Sequence, residues 1–301
     1  MVGHIPLEDG ILGSSPSSAA NSAYMDKYII SSDNSVTARV LKFFTNEPDD
    51  SIALAVLLQA HREKEIEILG ITSTFGNTDG NTSYGISKKQ VQLSGLNIPV
   101  IKGAIKKRQT DSQAVSFIIE SLEKAKERIT LVALGPVTDY AAVFKAKPSL
   151  LAKVKEFFFV RSGPYINQNK WYLCSFNAFP DIGAAEYMHS LGGNKYKMGK
   201  EIFNVGINND VVKELQSIGN PMMKFITKDL LKWNFQNKFI LNKGYFSRKG
   251  DMCPWDLVWS MYLVEPSLYR VEIVDNIKIL HVIDREMFLS RVLGKLRRWG
   301  N

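Results

Sequence analysis

The stretch TNEPDDSIALAV, Thr45–Val56, sets two adjacent carboxylates, Asp49 and Asp50, behind a proline and directly before an apolar run. Upstream, VTARVLKFF (Val36–Phe44) reads as a strand. Downstream, Asp50–Ala60 reads as an apolar helix. The doublet therefore falls at the C-terminal end of a first strand, where a helix begins. Adjacent like charges repel, so something must compensate them. One candidate is helix capping, since carboxylates near a helix N-terminus meet its dipole and its orphan N–H groups. The other is a hard cation: calcium takes about 6–8 oxygen ligands, several of them carboxylates. Glu47 adds a third acid to the same loop.

Working outward, strands alternate with helical stretches. IEILGITST is a second strand, Ser83–Ser94 a helix, IPVIKG a short third strand and Ala114–Lys126 a helix. ITLVALG is a continuous apolar strand, which predicts burial on both faces. A helix over Val137–Lys145 and the strand EFFFVRSG follow. This alternation predicts an α/β fold with an open, mostly parallel, Rossmann-like sheet flanked by helices. In such sheets ligands bind outside the carboxyl ends of the strands. The loops to read are then Thr45–Asp50, Thr74–Asn81, Leu134–Thr138 and Arg161–Asn177. Residues 1–35, which include the Ser/Ala/Pro-rich GSSPSSAANS (Gly13–Ser22), read as a flexible extension, and 36–301 as a single domain.

Composition narrows the function classes. With 45% hydrophobic residues among 301, a large core is within reach. The two cysteines, Cys174 and Cys253, give neither a disulfide framework nor paired CxxC zinc elements. No run of about 18 apolar residues predicts a membrane span. Glu8 and Asp9 precede any Lys or Arg, against a secretory signal, so the expected location is cytoplasmic. The net charge of +8 invites a polyanion, but the basic groups (Lys106–Arg108, Lys243–Lys249, Lys295–Arg298) are scattered, which argues against nucleic acid as partner.

Other strand ends carry polar groups. TSTFGNTDGN places Asn77 and Asp79 in a Gly-bracketed loop. ALGPVTD breaks a buried strand at Gly135–Pro136 and frees the Leu134 carbonyl. SFNAFPDIGAAEYM puts Asn177 before a helix that Asp181 can cap. DMCPWDLVWSMYLVEPSLY starts another apolar helix at Trp255–Asp256. Each has a bland alternative: turn chemistry for Asn77, a cap for Asp181, core packing for Trp255.

In this order the pieces resemble the nucleoside hydrolase family, its inosine–uridine-preferring and purine-specific members, from about Val36 to the C-terminus. FFTNEPDDSIAL stands where the family has Asp-x-Asp-x-Gly-x-Asp-Asp before an apolar helix. Gly76–Asn77, LGPVTD (Leu134–Asp139), SFNAFPDIGAA (Ser175–Ala185) and Trp255–Asp256 before EPSLY follow the later family segments. The resemblance implies calcium-assisted hydrolysis of the N-glycosidic bond of ribonucleosides, through an oxocarbenium-like state. It implies Asp50, Asp256 and the Leu134 carbonyl as calcium ligands. Asp49, Asn77 and Asn177 would hold ribose, and Trp255 would stack a purine base. A dimer or tetramer is likewise implied by resemblance.

The same alignment departs from the family at key positions. The second Asp of the first motif, metal ligand and general base, falls on Thr45; the first falls on Phe43 and the Gly on Glu47. The sugar-binding Glu falls on Ser175, and Arg161 stands near the ribose site. Two functions follow. Either Glu47 replaces the lost base, acting with Asp49 and Asp50 in a working N-ribohydrolase. Or the chain is a catalytically impaired relative, with calcium weakened or lost, that binds a nucleoside-like ligand or a partner protein, using Arg161.

Overall fold

The computed structural model describes residues 25–40, 44–159, 176–191, 195–199, 202, 204–241, 251–274 and 277–300. In chain order the elements are strands β1 (Lys27–Ser32), β2 (Arg39–Val40) and β3 (Phe44–Thr45), helix α1 (Asp49–Arg62), β4 (Glu67–Ser73), α2 (Gly80–Ser94), β5 (Val100–Ile101), α3 (Gln113–Lys124), β6 (Ile129–Ala133), α4 (Thr138–Ala146) and β7 (Val154–Phe159). There follow α5 (Ile182–Ser190), β8 (Lys195–Met198), α6 (Asn209–Ser217), α7 (Pro221–Ile226), α8 (Leu230–Gln236), α9 (Trp255–Val264), β9 (Tyr269–Val274), β10 (Ile277–Val282) and α10 (Arg285–Arg297).

The main sheet runs β5-β4-β1-β6-β7 and all its pairs are parallel. The expected α/β class and mostly parallel sheet are therefore present. Chain progression reverses between β1 and β6, which creates a crevice at their carboxyl ends. Side chains of β1 alternate between two cores: Tyr28 and Ile30 join the packing of α1, α9 and α10, while Ile29 joins that of α3, α4 and α5. α1 is buried from Asp49 to Ala60, consistent with an apolar sequence that shows no polar face.

Two expectations fail together. The first strand of the sheet is Lys27–Ser32, not Val36–Phe44, and the expected domain start at Val36 would cut away the central strand. Val36–Glu47 is instead an excursion between the end of β1 and α1. It carries the small antiparallel pair β2–β3. The physical reason is that Tyr28-Ile29-Ile30 is apolar on both faces, as a central parallel strand requires. In the excursion, by contrast, Arg39 reaches out to Asp229 at 2.8 Å through both terminal nitrogens. Thr37 N–H also donates to Asp229, at 2.7 Å. The backbone N–H and hydroxyl of Thr45 both donate to Gln236 Oε1, at 3.0 and 2.9 Å. Asp229 and Gln236 bracket α8, so the excursion is clamped to that helix.

Candidate active site

Asp49 and Asp50 open α1 at the sheet's carboxyl edge, yet Pro48 supplies no side-chain cap. Both carboxylates are instead engaged across the fold. Asp49 accepts from the Asp256 backbone N–H at 3.1 Å, joining the first turns of α1 and α9. Asp50 accepts from Ser32 Oγ at 2.5 Å and from Asn77 Nδ2 at 3.2 Å. Asp49, Asp50 and Asp256 each offer an oxygen within 4.8 Å of the others, and all three residues are buried. Capping alone does not account for this arrangement.

A further carboxylate stands beside them that was not among the expected site residues. Asp33 follows β1 directly and is fully buried, and Asn77 bonds both it and Asp50. Asp33 Oδ2 accepts from Asn77 N–H at 2.7 Å, while Oδ1 is buried without a partner. Two glycines make room for it. A Cβ on Gly76, whose φ is +155°, would lie 2.0 Å from Asp33 Oδ2, and one on Gly135 would lie 2.8 Å from Oδ1. Asp33 thus stands at the carboxyl end of the central strand, with the excursion separating it in sequence from Asp49 and Asp50. Thr45, which the resemblance set at the motif's second Asp, sits in β3 against Gln236. Phe43 lies outside the described residues. The signal in the sequence was the apolar Tyr28–Ile30 run ending in Asp33.

Electrostatics agree with the crowding. Burial pushes the carboxyls of Asp33, Glu47, Asp50 and Asp256 upward, and that of Asp49 to about 7. Neighbouring carboxylates push Asp33, Glu47, Asp49 and Asp256 further the same way. Among the described residues, no Lys, Arg or His forms an ion pair with any of the five. Burial of Cys253, with the charges of Glu47 and Asp49 nearby, likewise raises its thiol. An all-oxygen, strongly negative donor set with an unpartnered buried Asp33 oxygen fits a hard divalent cation.

The remaining expected residues sit as follows. Leu134 directly follows β6, and its carbonyl accepts from Asn177 Nδ2 at 2.6 Å; Asn177 is buried. Asn77 orients Asp33 and Asp50 through the bonds above. Trp255 is 8% exposed and packs in the larger core. Glu47 is partly exposed as a residue, but its Oε1 is sealed from solvent and without a partner. Arg161, Ser175 and residues 243–249 lie outside the described residues. Asp181 caps α5 and also accepts from Thr138 and from the Arg108 N–H. Asp79 caps α2. Asp139 ties Ser112 and Ala104 together.

The fold has close counterparts among solved proteins. The solved plant nucleoside hydrolase PpNRh1 superposes with a TM-score of 0.71 at 17% identity, covering 90% of this chain and 99% of that one. A purine-preferring ribonucleoside hydrolase from Gardnerella vaginalis gives 0.72 at 17% identity, covering 91% and 99%. The pyrimidine-specific ribonucleoside hydrolase RihB of Escherichia coli O17:K52:H18 (strain UMN026 / ExPEC) is 24% identical over 219 residues, 64% of this chain and 68% of that protein. The family model described as inosine-uridine preferring nucleoside hydrolase matches residues 47–290, a span that begins at the last residue of the excursion and so omits Asp33. With most of its length matched by that model, the chain belongs to the inosine-uridine preferring nucleoside hydrolase family.

Proposed function

We propose that the chain is an active, cation-dependent nucleoside N-ribohydrolase. One observation carries this: buried Asp33, tied through Asn77 to Asp50, stands beside the group formed by Asp49, Asp50 and Asp256. The case for an impaired relative drew on Thr45 in the base position, on Ser175 and on Arg161; with Asp33 as the motif's second Asp, the first of these no longer counts against activity. The cation is proposed to be calcium, held by Asp33, Asp50, Asp256 and the Leu134 carbonyl. Bound there, it would lower the pKa of a water and fix ribose hydroxyls.

The chain's own residues do the rest. Asp33 Oδ1, unpartnered, is free to accept the proton of the attacking water as general base. Asn77 holds Asp33 and Asp50 in place, which fixes the direction of that lone pair. Asp49 and Asn177 face the ribose, and the surrounding carboxylates favour the positive charge that develops on the sugar. Glu47 is not needed as a substitute base. Purines are proposed as the preferred bases on the position of Trp255 beside Asp256. A homo-oligomer and a cytoplasmic location complete the proposal, to be checked by light scattering and fractionation.

The test is free-base release from a panel of purine and pyrimidine ribonucleosides, with calcium and with chelator. Release that calcium supports and chelator stops is the expected result. No release from any nucleoside at high enzyme concentration would overturn the reading.

A further inference from the structure

The turn between β5 and α3 has no part in the site above, yet its backbone is fastened to the two segments that carry Asn77 and Asn177. On one side, the Ala104 carbonyl accepts from the Phe75 N–H at 3.1 Å, next to Gly76–Asn77. A Cβ on Gly80 would lie 2.7 Å from that same carbonyl, so the turn packs hard against the start of α2. On the other side, the Arg108 N–H donates at 2.8 Å to Asp181 Oδ2, in the short helical turn that follows Asn177. The Ile105 N–H closes the turn on Gln109 Oε1 at 3.0 Å. Between these anchors Lys106, Lys107 and Arg108 are all exposed. None of them forms an ion pair among the described residues. Arg108 moreover holds φ at +61°, a conformation that favours glycine. Three adjacent cations are thus held, at a backbone cost, beside a crevice whose own ionisable side chains are acids. A neutral nucleoside offers them no counter-charge.

We propose that Lys106, Lys107 and Arg108 bind the 5′-phosphate of a nucleoside 5′-monophosphate, which makes phosphorylated nucleosides the preferred substrates of this site. This rests on the N-ribohydrolase function proposed above. With the 2′- and 3′-hydroxyls of the ribose turned to the cation, the 5′-oxygen is the sugar hydroxyl left to carry a phosphate to the rim. A phosphate of charge about −2 is repelled by the carboxylates, and Lys and Arg offset this with charge-assisted hydrogen bonds. The bond changes are those of nucleoside cleavage. The water oxygen bonds to C1′ and gives up a proton, and the C–N bond breaks. Its electron pair leaves with the base, which takes up a proton, and ribose 5-phosphate is the second product.

The test compares kcat/KM on inosine and uridine with kcat/KM on their 5′-monophosphates, in calcium. It uses wild type, a Lys106→Ala/Lys107→Ala/Arg108→Gly triple variant and a Lys106→Gln/Lys107→Gln double variant. Glycine suits the left-handed backbone at 108. Wild type should favour the monophosphates by about tenfold or more. The triple variant should lose that preference and the double variant most of it, through a higher KM for the monophosphates. Wild type that cleaves nucleosides as well as or better than monophosphates would overturn the inference while leaving the proposed function standing. A preference that both variants keep would do the same. No release from any of the four compounds would overturn both. Should the triple variant fold poorly, the double variant, changed only at two exposed lysines, decides alone.

Discussion

Asp33 carries a buried carboxylate oxygen without a hydrogen-bond partner, Oδ1. Asp33→Asn should reduce the rate of base release by about 10²–10⁴-fold, the usual loss for a positioned base, measured as kcat on the best nucleoside. Its cradle is equally specific. Gly76→Ala and Gly135→Ala would drive a methyl into the Asp33 carboxylate, and Gly76 also holds a φ of +155° that alanine resists. Both variants should lose activity while Asp79, which caps α2 nearby, keeps its bonds; circular dichroism checks the helices. Trp255→Ala should lower the melting temperature, since the ring packs in the core. An unchanged ratio of purine to pyrimidine rates would assign it to packing alone. For pH, Asp49 titrates near 7 in the cation-free fold against a usual value of 3.8. A raised carboxyl lends stability that is complete below the lower value and lost as pH climbs through the upper one. Cation-free melting temperature should therefore fall from about pH 5 to pH 8, and calcium should restore it most at pH 8.

At the scale of elements, legibility followed hydrophobic pattern. β4, α2, α3, β6 and α4 lie where periodicity predicts, to within a few residues. So does α1, whose unbroken apolar run marks a helix buried all round. What escaped was the partition of Lys27–Thr45. The excursion holds Val36, Val40 and Phe44, which are as strand-like as Tyr28–Ile30, and it abuts the Asp doublet. Proximity in sequence favoured the wrong segment. Only parallel pairing with β4 and β6 on both sides distinguishes the true strand, and that is a long-range fact. Asp49, Asp50 and Asp256 were legible as a group, whereas Asp33 was hidden by the excursion that separates it from them. The clamp on α8 is testable in its own right. Arg39→Ala strips Asp229 of a two-pronged partner, though Arg39 is a third exposed and Thr37 still donates. A loss of about 2 kcal/mol in denaturant unfolding is expected.

For the whole molecule, part of the positive charge is taken up in ion pairs within the fold. Lys295 is buried between Glu63 and Glu65, at 3.0 and 2.7 Å, and Arg298 also pairs with Glu63. The basic end of α10 is thus spent in fastening that helix to the end of α1 and the turn after it. No helix among the described residues is long and apolar enough to cross a membrane. The site takes its place from the reversal of strand order. β1 and β6 diverge there, and their ends deliver Asp33 and Leu134 to a crevice roofed by the starts of α1 and α9.

The bond from Ser35 to the Glu47 carbonyl has a consequence for engineering. Because the chain leaves and re-enters at nearly one point, the excursion behaves as a cassette spliced into a shorter connection. Excising most of it and bridging Ser35 to Glu47 with a glycine or two should leave the sheet and the four aspartates in register.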